Sequence, residues 1–285
     1  MTFRWELRTR AVDDTGGTPV MGILNVTPDS FSDGGHYLDP RSAIDRGRRL
    51  VADGAAIVDV GGESTRPGAD PVDEDEERRR VLPVVEVLAA EGVVVSIDTM
   101  KPGVAAAAID AGAEIVNDVG GLSDPDMVAL CAERGAGVVI MHMQGEPRTM
   151  QDHPVYDDVV REVADHLARQ AAVAEAAGIA SSRIVVDPGI GFGKTLDHNL
   201  ALLANAGAVG RGRPVLVGHS RKRFLGTITG VDEAADRDEA TAVVSVLAVE
   251  AGAGLLRVHD VARTKLALRL RAAIVAAGDD GESER

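Results

Sequence analysis

The sequence predicts an α/β fold, a (β/α)8 TIM barrel in a single domain, and three observations predict it. Eight short runs rich in Val and Ile recur along the 285 residues, and none alternates polar with apolar; strands buried on both faces read this way. Most of these runs follow directly on a small-residue turn containing Gly, the residue that a helix C-terminus favours. Amphipathic stretches separate the runs and no linker divides the chain, so β and α alternate eight times. An open doubly wound sheet is the alternative. It usually carries a Gly-rich dinucleotide turn after its first strand, and Asn25-Val26-Thr27-Pro28 is not one.

Taken in order, residues 1–17 precede the first buried run and are expected to form an extension or hairpin that closes the barrel floor. Residues 18–277 form the catalytic barrel, and 278–285 a polar, disordered tail. The first strand is 20–24, and it enters a long polar loop through 35 in which Phe31 is the one apolar ring. Asp53-Gly54-Ala55 introduces strand 57–60, and Glu91-Gly92 introduces 93–97. Ala111-Gly112-Ala113 introduces 115–116, and Arg134-Gly135-Ala136 introduces 138–141. Two units vary the phrase: 183–186 follows Ala177-Gly178, and 215–217 follows Pro214. Ala251-Gly252-Ala253 leads into the last strand, 255–258. Helices are expected over 71–90, 127–134, 154–177 and 237–250.

Composition narrows the partners. With 30 Lys and Arg against 45 Asp and Glu, the net charge of −15 argues against a nucleic acid. An anionic small molecule stays open, because a pocket can be locally basic on an acidic surface. No apolar stretch reaches membrane-spanning length, residues 1–10 lack the apolar core of a signal peptide, and the single Cys131 allows no internal disulfide. These point to a cytoplasmic protein without a membrane partner.

A barrel enzyme carries its site at the C-terminal ends of its strands, and here every strand end is polar. The ends are Asn25; Gly61-Gly62-Glu63-Ser64-Thr65-Arg66-Pro67-Gly68; Asp98-Thr99; Asn117-Asp118; His142; Asp187 with the turn through Phe192 to Lys194; Gly218-His219-Ser220-Arg221-Lys222; and Arg257-Val258-His259. The set sorts by task. Asp98, Asn117 and Asp187 suit the donor-rich edge of a heterocycle, while Arg66, Lys222, Arg257 and His259 suit anionic groups. The expected ligand therefore has a hydrogen-bonding ring at one end and an anion at the other. His142 reads as a satisfied core histidine. Ser220 beside His219 makes no nucleophilic pair, since neighbours on a strand point apart.

These motifs, from 21–35 through 61–69, 187–194 and Ser220-Arg221-Lys222 to Arg257-Val258-His259, together resemble the dihydropteroate synthases. These are folate-pathway enzymes of the pterin-binding family that sulfonamides inhibit. The resemblance implies that 6-hydroxymethyl-7,8-dihydropterin diphosphate condenses with 4-aminobenzoate to give 7,8-dihydropteroate and pyrophosphate. It also implies Mg2+ and a homodimer. Carried over by position, Asn25 would ligate Mg2+, Thr65 would contact the diphosphate with Arg66 nearby, and Asp98, Asn117, Asp187 and Lys222 would hold the pterin. Arg257 and His259 would bind the leaving anion, and Phe31 and Pro67 would pack on the aminobenzoate ring. Phe192, Ser220 and Val258 complete the expected substrate site, with Lys222, Asp98, Arg257 and His259 as its catalytic set. One departure is Arg223, where many relatives have Ser. Two other readings are a methyltetrahydrofolate methyltransferase, which has no need of the Mg2+ and anion set, and a non-catalytic paralogue, which should have eroded loops.

Overall fold

A computed structural model of the chain describes residues 3–27, 40–64, 71–145 and 149–282, with side chains through 277. The first two strands, β1 (Arg4–Glu6) and β2 (Ala11–Asp13), pair antiparallel with Trp5 opposite Val12. Eight further strands form one parallel sheet: β3 (Val20–Asn25), β4 (Ile57–Gly61), β5 (Val95–Asp98), β6 (Ile115–Asp118), β7 (Gly137–Met141), β8 (Ile184–Asp187), β9 (Leu216–Val217) and β10 (Leu255–Val258). They neighbour one another in the order β8-β7-β6-β5-β4-β3-β10-β9. The ring closes between β8 and β9 on a single parallel bridge, Val186 to Val215, where the Val186 N–H donates to the Pro214 carbonyl at 3.0 Å.

The helices lie outside: α1 (Pro40–Ala52), α2 (Glu74–Ala90), α3 (Pro102–Asp110), α4 (Pro125–Arg134), α5 (Val159–Ala176), α6 (Leu196–Ala204), α7 (Ala206–Val209), α8 (Arg223–Thr229), α9 (Asp238–Glu250) and α10 (Val261–Glu282). Their starts are set by caps that satisfy the otherwise orphaned first N–H groups. Asp73 accepts from Glu76 N at 2.8 Å and Asp158 from Arg161 N at 3.0 Å. Those caps explain why α2 and α5 begin later than the apolar pattern suggests. The C-terminal stretch also differs from expectation. The helix α10 continues through 278–282, which the sequence reading assigns to the disordered tail. Ala272, Ala273, Ala276 and Ala277 are strong helix formers, no Pro follows them, and Gly278 and Gly281 cost only about 1 kcal/mol each. No helix among the described residues is long and apolar enough to cross a membrane.

Alternation along each strand divides the barrel into two materials. Outward side chains such as Val58, Val60, Ile97, Val116, Ile140, Val186 and Val258 pack under the helices in the main core. Inward ones fill the lower barrel: Met21, Ile57, Ile115, Val139, Val185, Leu216 and Leu255 join Phe3, Trp5, Leu7 and Val12 in one buried cluster. The β1–β2 hairpin thus plugs the N-terminal end, and the Trp5 indole N–H donates to the Arg183 carbonyl at 2.8 Å. Gly137 makes room for this plug, since a Cβ there would stand 2.6 Å from Leu7 and 3.4 Å from Trp5. Two residues further along the same inward rows come Asp59, Asn117, Asp187 and Arg257. The interior therefore changes from hydrocarbon to charge over one layer.

Candidate active site

Four strand ends share one rung of the ladder. Asn25 lies opposite Gly61, Gly61 opposite Asp98, and Asp98 opposite Asn117. Across the barrel, Asp187 ends β8 opposite Met141. As the sequence reading expects, these are strand-end residues: Asn25, Asp98 and Asp187 are the last of their strands, and Asn117 is followed only by Asp118. Ladder hydrogen bonds override the weak strand propensity of Asp and Asn. Strand backbone is rigid, so these polar groups are fixed before any ligand arrives.

At the centre stands Arg257. Its Nε donates to Asp59 at 2.6 Å and its Nη2 to Asp98 at 2.5 Å. Asp59 is fully buried and also accepts from the Asn117 amide at 3.0 Å, while its second oxygen has no partner among the described residues. The resemblance assigns Arg257 to a leaving anion; in the structure its Nε and Nη2, which share one edge of the fork, are held by carboxylates. Asp59 was missed because it sits inside the apolar run 57–60. The signal that could have found it is parity: Asp59 shares the inward row of Ile57 and Gly61.

Burial governs the charge states here. It pushes Asp98 up to about 7, with Arg257 opposing and Asp59, Glu77 and Asp118 adding to the rise. Asp187 is pushed up to about 6 by burial, opposed by the hydrogen bond from Gly189 N (2.7 Å) and by Lys222 and Arg257. Burial holds Lys222 down at about 8, although Asp187 pulls the other way. Clustered acids and bases with displaced titrations mark a functional site.

The wall made by β8 and β9 joins Asp187, Phe192 and Lys222. The Lys222 ammonium lies 3.8 Å from the centre of the Phe192 ring, a cation–π contact. Its stem crosses Gly191, where a Cβ would stand 3.1 Å from Lys222 Cδ. Just before it, Arg221 adopts φ +59°, a left-handed conformation that costs roughly 1–3 kcal/mol for a non-glycine residue. A two-pronged pair with buried Asp238, 2.7 Å on each prong, holds it there. Ser220 Oγ takes the His259 N–H at 3.1 Å and lies 2.9 Å from His259 Nδ1. His219 turns the other way, its Nε2 3.0 Å from the Thr241 carbonyl, so the two neighbours do point apart.

The expected set is thus brought together in part. Asn25, Asp98, Asn117, Asp187, Phe192, Ser220, Lys222, Arg257 and His259 are strand-end or adjoining residues of one mouth. Val258 is corrected: its side chain is fully buried under the helices, because it alternates with Arg257, and it lends no side chain to the mouth. Phe31, Thr65, Arg66 and Pro67 lie outside the described residues. Lys101, which the sequence reading did not single out, pairs with Glu63 and buried Glu77 at the base of the loop that carries three of them. Among the described residues, no group of three or more His, Cys, Asp or Glu gathers to hold a metal. Asn25, half-buried at the rim, offers one neutral oxygen. That suits a hard cation whose other ligands are water and phosphate oxygens.

Comparison with known proteins bears on this geometry. The profile of the family described as "Pterin binding enzyme" matches residues 21–259. The chain is 50% identical over 274 residues to a dihydropteroate synthase of Mycobacterium leprae, covering 93% of this chain and 96% of that protein. It is also 50% identical over 246 residues to a probable bifunctional folylpolyglutamate synthase/dihydropteroate synthase of Haloferax volcanii. That match takes in 86% of this chain and spans only 29% of that longer protein. Among solved structures, Xanthomonas albilineans dihydropteroate synthase with 4-aminobenzoic acid superposes with a TM-score of 0.90 at 45% identity. The superposition covers 97% of this chain and 99% of that one.

Proposed function

The chain belongs to the pterin-binding enzyme family, among the dihydropteroate synthases, and from this we propose how its own residues carry the reaction. The reaction is the condensation of 6-hydroxymethyl-7,8-dihydropterin diphosphate with 4-aminobenzoate, a transferase step of folate synthesis. The observation that carries the assignment of roles is the convergence of Asp98, Asn117, Asp187, Lys222 and Arg257 on one mouth.

Asp187 and Asp98 face the pterin as acceptors for its ring N–H groups, where charge-assisted bonds are the strong ones. Asn117 adds an amide, and Lys222 supplies an ammonium on the opposite wall. Arg257 bridges the carboxylates of Asp59 and Asp98 and opposes the rise of the Asp98 titration, and the rest of its guanidinium, with His259, would meet the departing anion. Asn25 would hold Mg2+ beside the diphosphate. When bound, the ion takes up the negative charge that develops as diphosphate leaves. Thr65 and Arg66 would grip the same group, and Phe31 and Pro67 would cover the aminobenzoate ring.

The C–O bond breaks first, its electron pair leaving on the diphosphate. The electron-rich dihydropterin carries the resulting methylene cation. The arylamine nitrogen then forms the C–N bond and gives up one proton. No side chain needs to act as a strong base, because the electrophile is already cationic. The mouth must instead exclude water from that cation.

The active unit is the barrel of residues 18–277, and we read it as a cytoplasmic homodimer. Support for pairing comes from apolar side chains left on two adjoining helices: Val243 and Leu247 on α9 are each 60% exposed, and Leu270 and Ile274 on α10 are 58% and 73% exposed. Patches of this kind mark contact surfaces. Pyrophosphate release tests the reaction: it should require 4-aminobenzoate and yield 7,8-dihydropteroate in equal amount. Release that ignores 4-aminobenzoate would reduce the activity to hydrolysis.

A further inference from the structure

Lys194 ends the loop between β8 and α6 and is only 3% exposed, yet no carboxylate among the described residues pairs with it. Burial pulls its titration down to about 7, Asp187 attracts it only through space, and the reaction above makes no use of it. Its partners are two carbonyls and an imidazole. The Nζ donates to the Phe192 carbonyl at 2.8 Å and to the His142 carbonyl at 3.3 Å, and it lies 3.0 Å from His142 Nδ1.

The backbone explains why a donor is required there. Gly189 and Gly193 have φ of +65° and +63°; a Cβ at the first would stand 1.9 Å from the His142 carbonyl oxygen and at the second 2.5 Å from that of Gln144. The loop therefore lies with its main chain directly on the main chain that follows β7. Two carbonyls from the opposed chains, those of His142 and Phe192, then meet in a space closed to water. Neither can donate to the other, and buried acceptors are rarely left unpaired. The Lys194 side-chain nitrogen is their common donor. His142 stays neutral, because burial, Lys194 and the edge-on His166 ring at 4.8 Å all push its titration down. Phe192 is fixed from both sides, since its N–H also donates to the Gly189 carbonyl at 3.0 Å. The direction of its ring follows from that.

We propose that Lys194 is a positioning residue, which clips the Phe192 carbonyl to the His142 carbonyl and so holds the Phe192 ring beneath the Lys222 ammonium. The proposal rests on the reading of Asp187, Phe192 and Lys222 as one wall of the pterin site.

The test is a double-mutant cycle on the affinity for 6-hydroxymethylpterin, measured by calorimetry. Lys194→Met keeps the length and removes every donor. It should weaken binding about tenfold or more in the parent, and less than about twofold further in a Phe192→Leu background. Equal losses in the two backgrounds, or parental affinity in Lys194→Met, would overturn the proposal. Lys194→Gln keeps two N–H donors for the two carbonyls and should stay within about threefold of the parent. A tenfold loss there, in a protein that melts normally, would also overturn it, even if Lys194→Met fails to fold. Asp187→Asn serves as the control for the underlying reading. If it too binds like the parent, the pterin wall has been misplaced, whatever the clip does.

Discussion

Replacing Asp59 with Asn should move the acid limb of pterin binding. Asp59 and Asp98 grip neighbouring nitrogens of the Arg257 guanidinium. Carboxylates so placed are about 5 Å apart, where two unit charges interact by roughly 3 kcal/mol at an effective dielectric of about 20. At 1.36 kcal/mol for each pKa unit, losing that repulsion would lower the Asp98 titration by about two. Asp98 stands at about 7 and accepts ring N–H groups most strongly when ionised, so binding weakens as the pH falls through 7. In Asp59→Asn that limb should descend until Asp187, which titrates at about 6, becomes limiting. The visible movement is therefore from about 7 to about 6. Stability follows the same linkage. A carboxyl raised in the folded state contributes stability that is complete below its unfolded value near 3.8 and is lost as the pH rises through about 7. The variant should lose this contribution at a lower pH. Calorimetric titrations of 6-hydroxymethylpterin across the pH range, with melting curves alongside, measure both. An acid limb that stays at 7 would refute the coupling through Arg257.

Asp187→Asn should cost about 1.5–3 kcal/mol of pterin affinity, the worth of a hydrogen bond to a charged group, without lowering the melting temperature; unchanged affinity would sink its role as anchor. Activity should depend on Mg2+, and Asn25→Ala should abolish turnover or blunt that dependence; full turnover in EDTA would show that no metal is needed. 4-Aminobenzoate should bind the free enzyme weakly and bind tightly once Mg2+ and pyrophosphate are present, as expected if Phe31 and Pro67 cover its ring only when Thr65 and Arg66 have an anion to grip; equal affinity in the two titrations would remove the gate. Trp5→Ala should destabilise the fold by about 3–5 kcal/mol, the usual loss for a buried aromatic, while the folded fraction keeps its turnover; a change in KM would tie the floor to the mouth.

The sequence makes the barrel legible because its strands are buried on both faces, and such strands need no alternation to be recognised. The mouth is legible at Asn25, Asp98, Asn117 and Asp187, where an apolar run stops on a polar residue. Asp59 is not, since an acid inside an apolar run interrupts nothing a run-based reading looks for; only the alternation of Ile57, Asp59 and Gly61 places it inside. Val258 shows the reverse error. Its neighbours Arg257 and His259 carried it into the expected site, although a strand sends consecutive side chains to opposite faces. Lys194 was seen as the end of a Gly-rich turn, but its task depends on the main chain of 142–144, about fifty residues earlier. No local pattern encodes a contact of that kind. The late starts of α2 and α5 were set by Asp73 and Asp158, single caps that apolar periodicity does not register.

The tryptophan in the floor plug has a consequence for how this enzyme can be watched. Trp5 is the chain's one tryptophan, and it lies fully enclosed at the end of the barrel opposite the mouth. Indole emission therefore comes from a single, dry, apolar address. It should be blue and sharp in the native chain, and it should redden only when the hairpin leaves the floor. Substrates arriving at the far rim are out of its sight, apart from any energy transfer to the pterin itself. The molecule thus carries an optical gauge of its own integrity that is separate from its catalysis, so a variant that has lost its chemistry can be told by its colour from one that has lost its fold.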